Sequence, residues 1–223
     1  MTIGEMNKRL SEVDDISWGM YAFSRDVLCH RIGDEKKRDM IQKAVECGNR
    51  LAERTALRFG TTDPWEIARI LGLSITFPKE ANVGGRILFA LFTPPNQIQI
   101  MREPIRRAAS DEQVRRLVTE DQMKNLILGH ELFHFLEEEE EEIYTRTETI
   151  TLWKFFGYRH TSTIRALSEI AGMAFTKNLN QFPYSPFTLD ILLYYNYNSS
   201  EASAIYAEVM QQYEKSRLSM KDE

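Results

Sequence analysis

The chain has 223 residues, of which 43% are hydrophobic and 27% charged, with 28 lysines and arginines against 33 aspartates and glutamates. The hydrophobic share is that of a folded globular protein, and a net charge of −5 lacks the basic excess of a nucleic-acid binder. No apolar run reaches the length of a membrane span, the polar and acidic first twenty residues do not read as a signal peptide, and the two cysteines, Cys29 and Cys47, form neither a C-x-x-C nor a disulfide framework. A reducing cytoplasm is the expected setting.

Residues 1–33 resist assignment, although Trp18, Met20, Tyr21, Phe23, Val27 and Leu28 are apolar enough to pack against something. From Asp34 to Phe59, Met40, Ile41, Ala44, Val45, Leu51, Ala52 and Leu57 recur at helical spacing, and Gly60 is a natural stop. Asp63-Pro64 opens a short helix, with Asp as N-cap and Pro in the first turn, ending at Gly72. Residues 73–77 alternate like a strand up to Pro78. Gly84-Gly85 then precedes an apolar stretch, Arg86–Thr93; Pro94-Pro95-Asn96 makes a turn, and Gln97–Met101 alternates, which predicts a hairpin in a small antiparallel sheet. A helix is expected from about 111 to 138, broken near Thr119. The six acids Glu137–Glu142 read as a solvated surface where that helix frays. Residues 143–161 admit two readings, with threonines that favour strand and an aromatic group (Trp153, Phe155, Phe156, Tyr158) that lines a cleft or covers the core. Three helices follow, about 162–179, 186–195 and 199–216, the last opening at Ser199 or Ser200. No repeat and no long linker interrupts the chain. Three segments result: 1–33, an extension of unclear role that is a candidate cover for a cleft; 34–185; and a C-terminal helical unit, 186–223.

His130-Glu131-Leu132-Phe133-His134 reads H-E-x-x-H and uses two of the four histidines in the chain. On a helix, residues four apart share a face, so both imidazoles reach one metal ion, with Glu131 beside it as general base. A hydrolytic zinc site needs a third protein ligand. The helix 162–179 offers Glu169, with Glu148 as a rival. Small residues near it, Ala166 and Gly172, together with Gly129 before His130, suit a close approach of two helices. Zinc fits two histidines and one carboxylate best, with Mn2+ or Fe2+ compatible. A donor for the oxyanion is sought in His160, Tyr158 or Arg159, with Tyr194, Tyr195 and Tyr197 as alternatives. Cys29 beside His30 reads more simply as a packed apolar thiol than as a metal pair.

These residues resemble the ImmA/IrrE family of metallo-endopeptidases, which read roughly L-A-H-E-L-G-H and then E-x-x-A-N-x-F-A-x-x-L-L-M-P. Here Leu128 to His134 and Glu169 to Leu179 stand at those motifs, and Asp63–Leu73 is similar to the family's D-P-x-E-I-A-x-x-L-G-I stretch. The resemblance spans about residues 35–210. It implies His130, His134 and Glu169 as metal ligands, Glu131 as base, and an α+β fold, a mainly helical zincin-like domain with a small antiparallel sheet beside the H-E-x-x-H helix. It also implies a protein substrate, a DNA-binding repressor on a separate chain, since no helix-turn-helix is attached; direct nucleic-acid or membrane binding is not expected, and the oligomeric state is left open. The chain departs from the pattern at Phe133 (Gly in the family), Gly172-Met173 (Ala-Asn), Thr176 (Ala) and Asn180-Gln181-Phe182-Pro183 (Leu-Met-Pro). The alternatives to an endopeptidase are a regulatory docking module that keeps the fold without cutting, and a hydrolase of small peptides.

Overall fold

The structure, a computed structural model, describes residues 1–79, 82, 83 and 86–219; the Gly84-Gly85 break lies outside the described residues. The N-terminal segment, left unassigned by its sequence, forms two helices. In α1 (Ile3–Leu10) Thr2 and Glu5 make a capping box, and Ile3, Met6 and Leu10 point inward. In α2 (Asp15–Ser24) Asp14 accepts the Ser17 N–H at 2.7 Å. Residues 17–23 of α2 are all buried, so this helix has no solvent face and no amphipathic period to read. Trp18 stacks on Phe187 with ring centres 5.6 Å apart, and Tyr21 meets the same ring edge-on at 6.1 Å.

Next come α3 (Asp34–Phe59), closed by a left-handed Gly60, and α4 (Pro64–Ile70), capped by Asp63 on the Trp65 N–H at 2.9 Å. Both follow the sequence signals for starts and stops. Strands β1 (Ser74–Thr76), β2 (Asn82–Val83), β3 (Arg86–Ile87), β4 (Ala90–Thr93) and β5 (Gln97–Ile100) follow. β4 and β5 make the expected antiparallel hairpin, but β1 runs parallel to β5, from Ser74 opposite Gln97 to Thr76 opposite Gln99. The expected antiparallel sheet is therefore a mixed sheet in the order β1-β5-β4. Alternation sets which face of a strand is buried and carries no information on its direction. Direction comes from the path between β1 and β4, which includes the small β2-β3 pair.

α5 (Arg102–Ser110) and α6 (Glu112–Arg115) lead to α7 (Glu120–Glu139), where Thr119 and Gln122 form a capping box at the expected break. Trp65 Nε1 donates to Asn125 Oδ1 at 2.6 Å and ties α4 to α7, while Phe92 of β4 meets Phe135 edge-on at 6.0 Å. The sheet thus lies beside the motif helix. After α8 (Tyr144–Thr147), the ambiguous segment resolves into a hairpin of β6 (Thr149–Phe155) and β7 (Tyr158–Thr163), turned by Phe156 and Gly157, both at positive φ. Its aromatic end neither lines a cleft nor covers the core: Phe155, Phe156 and Tyr158 are 66%, 95% and 64% exposed.

α9 (Arg165–Leu179), α10 (Thr188–Tyr195) and α11 (Ser199–Ser219) complete the chain. Asn198, rather than Ser199 or Ser200, caps α11, its Oδ1 accepting the Glu201 N–H at 3.1 Å. α9 has no cap of its own; Asp26 Oδ2 accepts the Ala166 N–H at 2.9 Å across 140 residues of sequence. α2 packs on α3, α9 and α11, so the three sequence segments share one core. The described structure is a mainly helical α+β fold, and among the described residues no helix is long and apolar enough to cross a membrane.

α3 lies against α9 with almost no gap. A Cβ on Gly48 would stand 2.1 Å from Ala171 O and 2.9 Å from Phe175 N. Both are backbone atoms and cannot rotate away. Gly48→Ala is expected to lower the free energy of unfolding by about 3 kcal/mol in urea titrations. Gly4→Ala, on a helical site with nothing within 4 Å, should raise it by about 0.5–1 kcal/mol.

Candidate metal centre

α7 places His130 and His134 one turn apart on the face turned toward α9, with their Nε2 atoms 3.0 Å apart. α9 brings Glu169 Oε2 to 3.3 Å from His130 Nε2. The three donor atoms lie within 4.8 Å of one another. A tetrahedral ion holding ligands at about 2.0–2.1 Å keeps them about 3.3 Å apart, so the spacing suits one cation. The rival Glu148 faces Lys36 at the surface, 4.0 Å away, and takes no part.

The helices meet this closely because side chains are missing where they cross. A Cβ on Gly129 would lie 2.9 Å from Asn180 Nδ2; one on Gly172 would lie 3.0 Å from both Nδ1 and Cε1 of His130 and 3.1 Å from Phe133 Cδ1. Phe133 is fully buried against Phe175. Gly172 therefore makes room for both the His130 ring and the bulk of Phe133. The His130 Nδ1 atom is buried there without a hydrogen-bond partner.

His134 is held differently. Its Nδ1 lies 3.4 Å from Glu137 Oε2, and Ser168 Oγ donates to the same oxygen at 2.6 Å. Thr145 Oγ1 donates to the other Glu137 oxygen. Glu137 is 9% exposed. Burial pushes its carboxyl up, but hydrogen bonds from His134, Ser168 and Thr145 leave it below the ordinary value and ionised. A carboxylate behind a ligating imidazole fixes ring orientation and raises its basicity. The reading of Glu137–Glu142 as wholly solvated is thus corrected at its first member. α7 stays helical through Glu139, so Glu137 shares the face of His134, three residues earlier. Glu138 and Glu140 face outward, toward Arg146 (3.7 Å) and Arg54 (2.7 Å).

Glu131 is 8% exposed and accepts a backbone hydrogen bond from Phe92 of β4. Burial raises its pKa against the opposing pull of His130 and His134. Burial pushes the His130 imidazole down, yet the hydrogen bond and charge of Glu169 lift it to about 9. Burial pushes Glu169 up, yet His130, His134 and Arg165 bring it down to about 2. His130 and Glu169 form a half-buried ion pair.

His130, Glu131 and Glu169 line a cleft of about 370 Å3, within the range of small-ligand sites. Leu126 and Ile127 of α7, Phe89 and Ala90 beside the sheet, and Tyr21 and Ala22 of α2 supply its apolar walls. Its remaining charged groups are Arg25, Asp26, Arg165 and Asp190, none of which the sequence singled out. His160 is not brought to this cleft. It lies on an exposed strand with its ring stacked on Trp153, 5.3 Å between centres, because the hairpin turns that face to solvent. Tyr158 and Arg159 share the hairpin, Tyr194 packs on Phe89, and Tyr197 sits under Arg107; these four and Tyr195 are likewise not among the lining residues. No protein-family model, curated protein or solved structure matches the chain.

Two measurements test this centre. Glu137→Gln is expected to weaken zinc affinity by about 10–100-fold in competition with a chromophoric chelator, with little change in fold. Zinc held by these residues would also displace the proton that Glu169 holds on His130. Calorimetry in buffers of different ionisation enthalpy should show about one proton released per zinc at pH 7, and apparent affinity rising with pH and levelling off above about 9. The same pair contributes fully to the metal-free fold between about pH 4.5 and 6.5, and loses that contribution as pH rises through about 9 or falls through about 2.

Proposed function

We propose that the chain is a zinc-dependent endopeptidase, zincin-like in its site, that hydrolyses a peptide bond in a protein substrate. The observation that carries this reading is the convergence of donor atoms from His130, His134 and Glu169 beside a cleft lined by His130, Glu169 and the buried carboxylate of Glu131. Two imidazoles and a carboxylate with room left for a further ligand suit Zn2+ best, with Mn2+ or Fe2+ compatible. A bound zinc ion supplies Lewis acidity, polarising a carbonyl and acidifying coordinated water. Glu131 does the proton work: it takes a proton from the attacking water and returns it to the leaving nitrogen. Its raised pKa, caused first by burial, brings it nearer the working pH of such a base. The cleft's cationic side chains are Arg25 and Arg165. Arg165, 3.7 Å from Glu169, takes over in this proposal the oxyanion role first sought in His160.

The substrate follows from the resemblance to ImmA/IrrE, which supports a DNA-binding repressor on a separate chain in the cytoplasm. A second reading, a docking module that binds without cutting, draws on one observation: the exposed aromatic end of the β6-β7 hairpin.

Glu131→Gln separates the two. On the peptidase reading this variant keeps one zinc per chain and loses about 10²–10⁴-fold in kcat against a repressor encoded beside it. Full biological function with Glu131→Gln would instead establish the docking module.

A further inference from the structure

The cleft wall carries a charge that hydrolysis leaves unused. Of its acidic side chains, Glu131 and Glu169 belong to the metal centre. Asp26 has both oxygens engaged, accepting the Leu28 N–H at 2.7 Å and the Ala166 N–H at 2.9 Å. The fourth is Asp190 on α10. Among the described residues, no hydrogen bond or ion pair reaches its carboxylate.

Neither of the wall's cations pairs with Asp190. Arg25 pairs with Glu208 at 3.5 Å and lies over the Tyr21 ring at 4.8 Å, and Arg165 leans on Glu169. Burial pushes Asp190 up to about 6, against weaker pulls from Arg25 and His130. Asp190 is half-buried; a carboxylate partly withdrawn from water without a partner is destabilised, and a cation arriving from solution relieves that cost. Around it, Phe187, Leu189 and Leu193 offer apolar surface for an alkyl stem.

We propose that Asp190 anchors a cationic group of the substrate, an ammonium or guanidinium, in the cleft beside the metal centre. The inference rests on the endopeptidase reading for taking the ligand to be a peptide. The cation has two sources, a lysine or arginine side chain within the peptide or a free α-amino group at its end.

The test uses the full-length, zinc-loaded Glu131→Gln chain, which holds peptides without cutting them. Binding is measured by calorimetry against apolar octapeptides of one frame. Three are N-acetylated, with norleucine, lysine or glutamate at the centre; the fourth carries norleucine and a free N-terminus. The lysine peptide or the free-amine peptide is expected to bind at least about tenfold more tightly than the acetylated norleucine peptide, and whichever does so identifies the source. Asp190→Asn in the same background should abolish that preference while zinc content and norleucine-peptide affinity hold; Asp190→Glu should preserve it. No binding, equal affinity across the set, or a cationic preference that survives Asp190→Asn overturns the inference. A cationic preference in binding, combined with no cleavage of any peptide by the zinc-loaded wild-type chain, supports the anchor and refutes the endopeptidase reading.

Discussion

The centre depends on how closely α9 lies against α7. Its donors come from two helices, and a cation held at about 2 Å tolerates little separation between them. Gly129 and Gly172 leave the backbones room to meet at the crossing, and Gly48 does the same where α3 backs onto α9. The three helices form a layered stack with α9 in the middle. Any bulk added at these crossings is transmitted to Glu169, because interiors packed to crystal density have no slack to absorb it. The pairing of Phe133 with Gly172 shows the same economy. A large ring on α7 fills space that a side chain on α9 would otherwise take, and the His130 ring lies against the gap that remains.

Electrostatics completes what packing begins. Four carboxylates stand near the two imidazoles, Glu131 and Glu137 buried and Glu169 and Asp190 half-buried. Such a concentration is tolerable because each is handled differently. Glu169 is neutralised by His130, and Glu137 by three hydrogen bonds, while Glu131 retains a raised pKa and one backbone donor. Only Asp190 has neither a hydrogen bond nor an ion pair among the described residues. The His130–Glu169 pair also orders these side chains without a cation, so a metal ion binding there would exchange for a proton within a site already shaped.

Much of this was legible in the chain. Local signals did best: the Asp63-Pro64 start, the Gly60 stop and the Thr119 break are fixed by residues within one turn of the feature they mark. The candidate cluster was legible because H-E-x-x-H is itself local, and Glu169 because small residues lie near it and it stands at the motif of the family the chain resembles. What failed was non-local. The direction of β1 depends on a return path. Glu137 was hidden in a run of identical residues whose first member alone faces inward, although its i+3 spacing from His134 was the available clue. His160 had suitable chemistry but stands on a hairpin turned away from the cleft. Arg25 and Asp190 reach the cleft only through packing of α2 and α10, which no short pattern encodes.

The N-terminal segment is the clearest case of position overriding pattern. Read from its sequence as an extension of unclear role and a candidate cover for a cleft, it forms part of the cleft itself. Tyr21, Ala22, Arg25 and Asp26 line the wall, and Trp18 and Phe23 are among the largest fully buried side chains. Asp26 supplies the missing cap of α9 at Ala166, three residues before Glu169, so the first turn of the helix that carries this candidate ligand is held by the segment that precedes α3. A helix start without such a partner leaves its N–H groups unsatisfied and frays. The segment is therefore a positioning element for the centre, and a cover that opens by moving it away would dismantle the wall, the cap and the ligand geometry together.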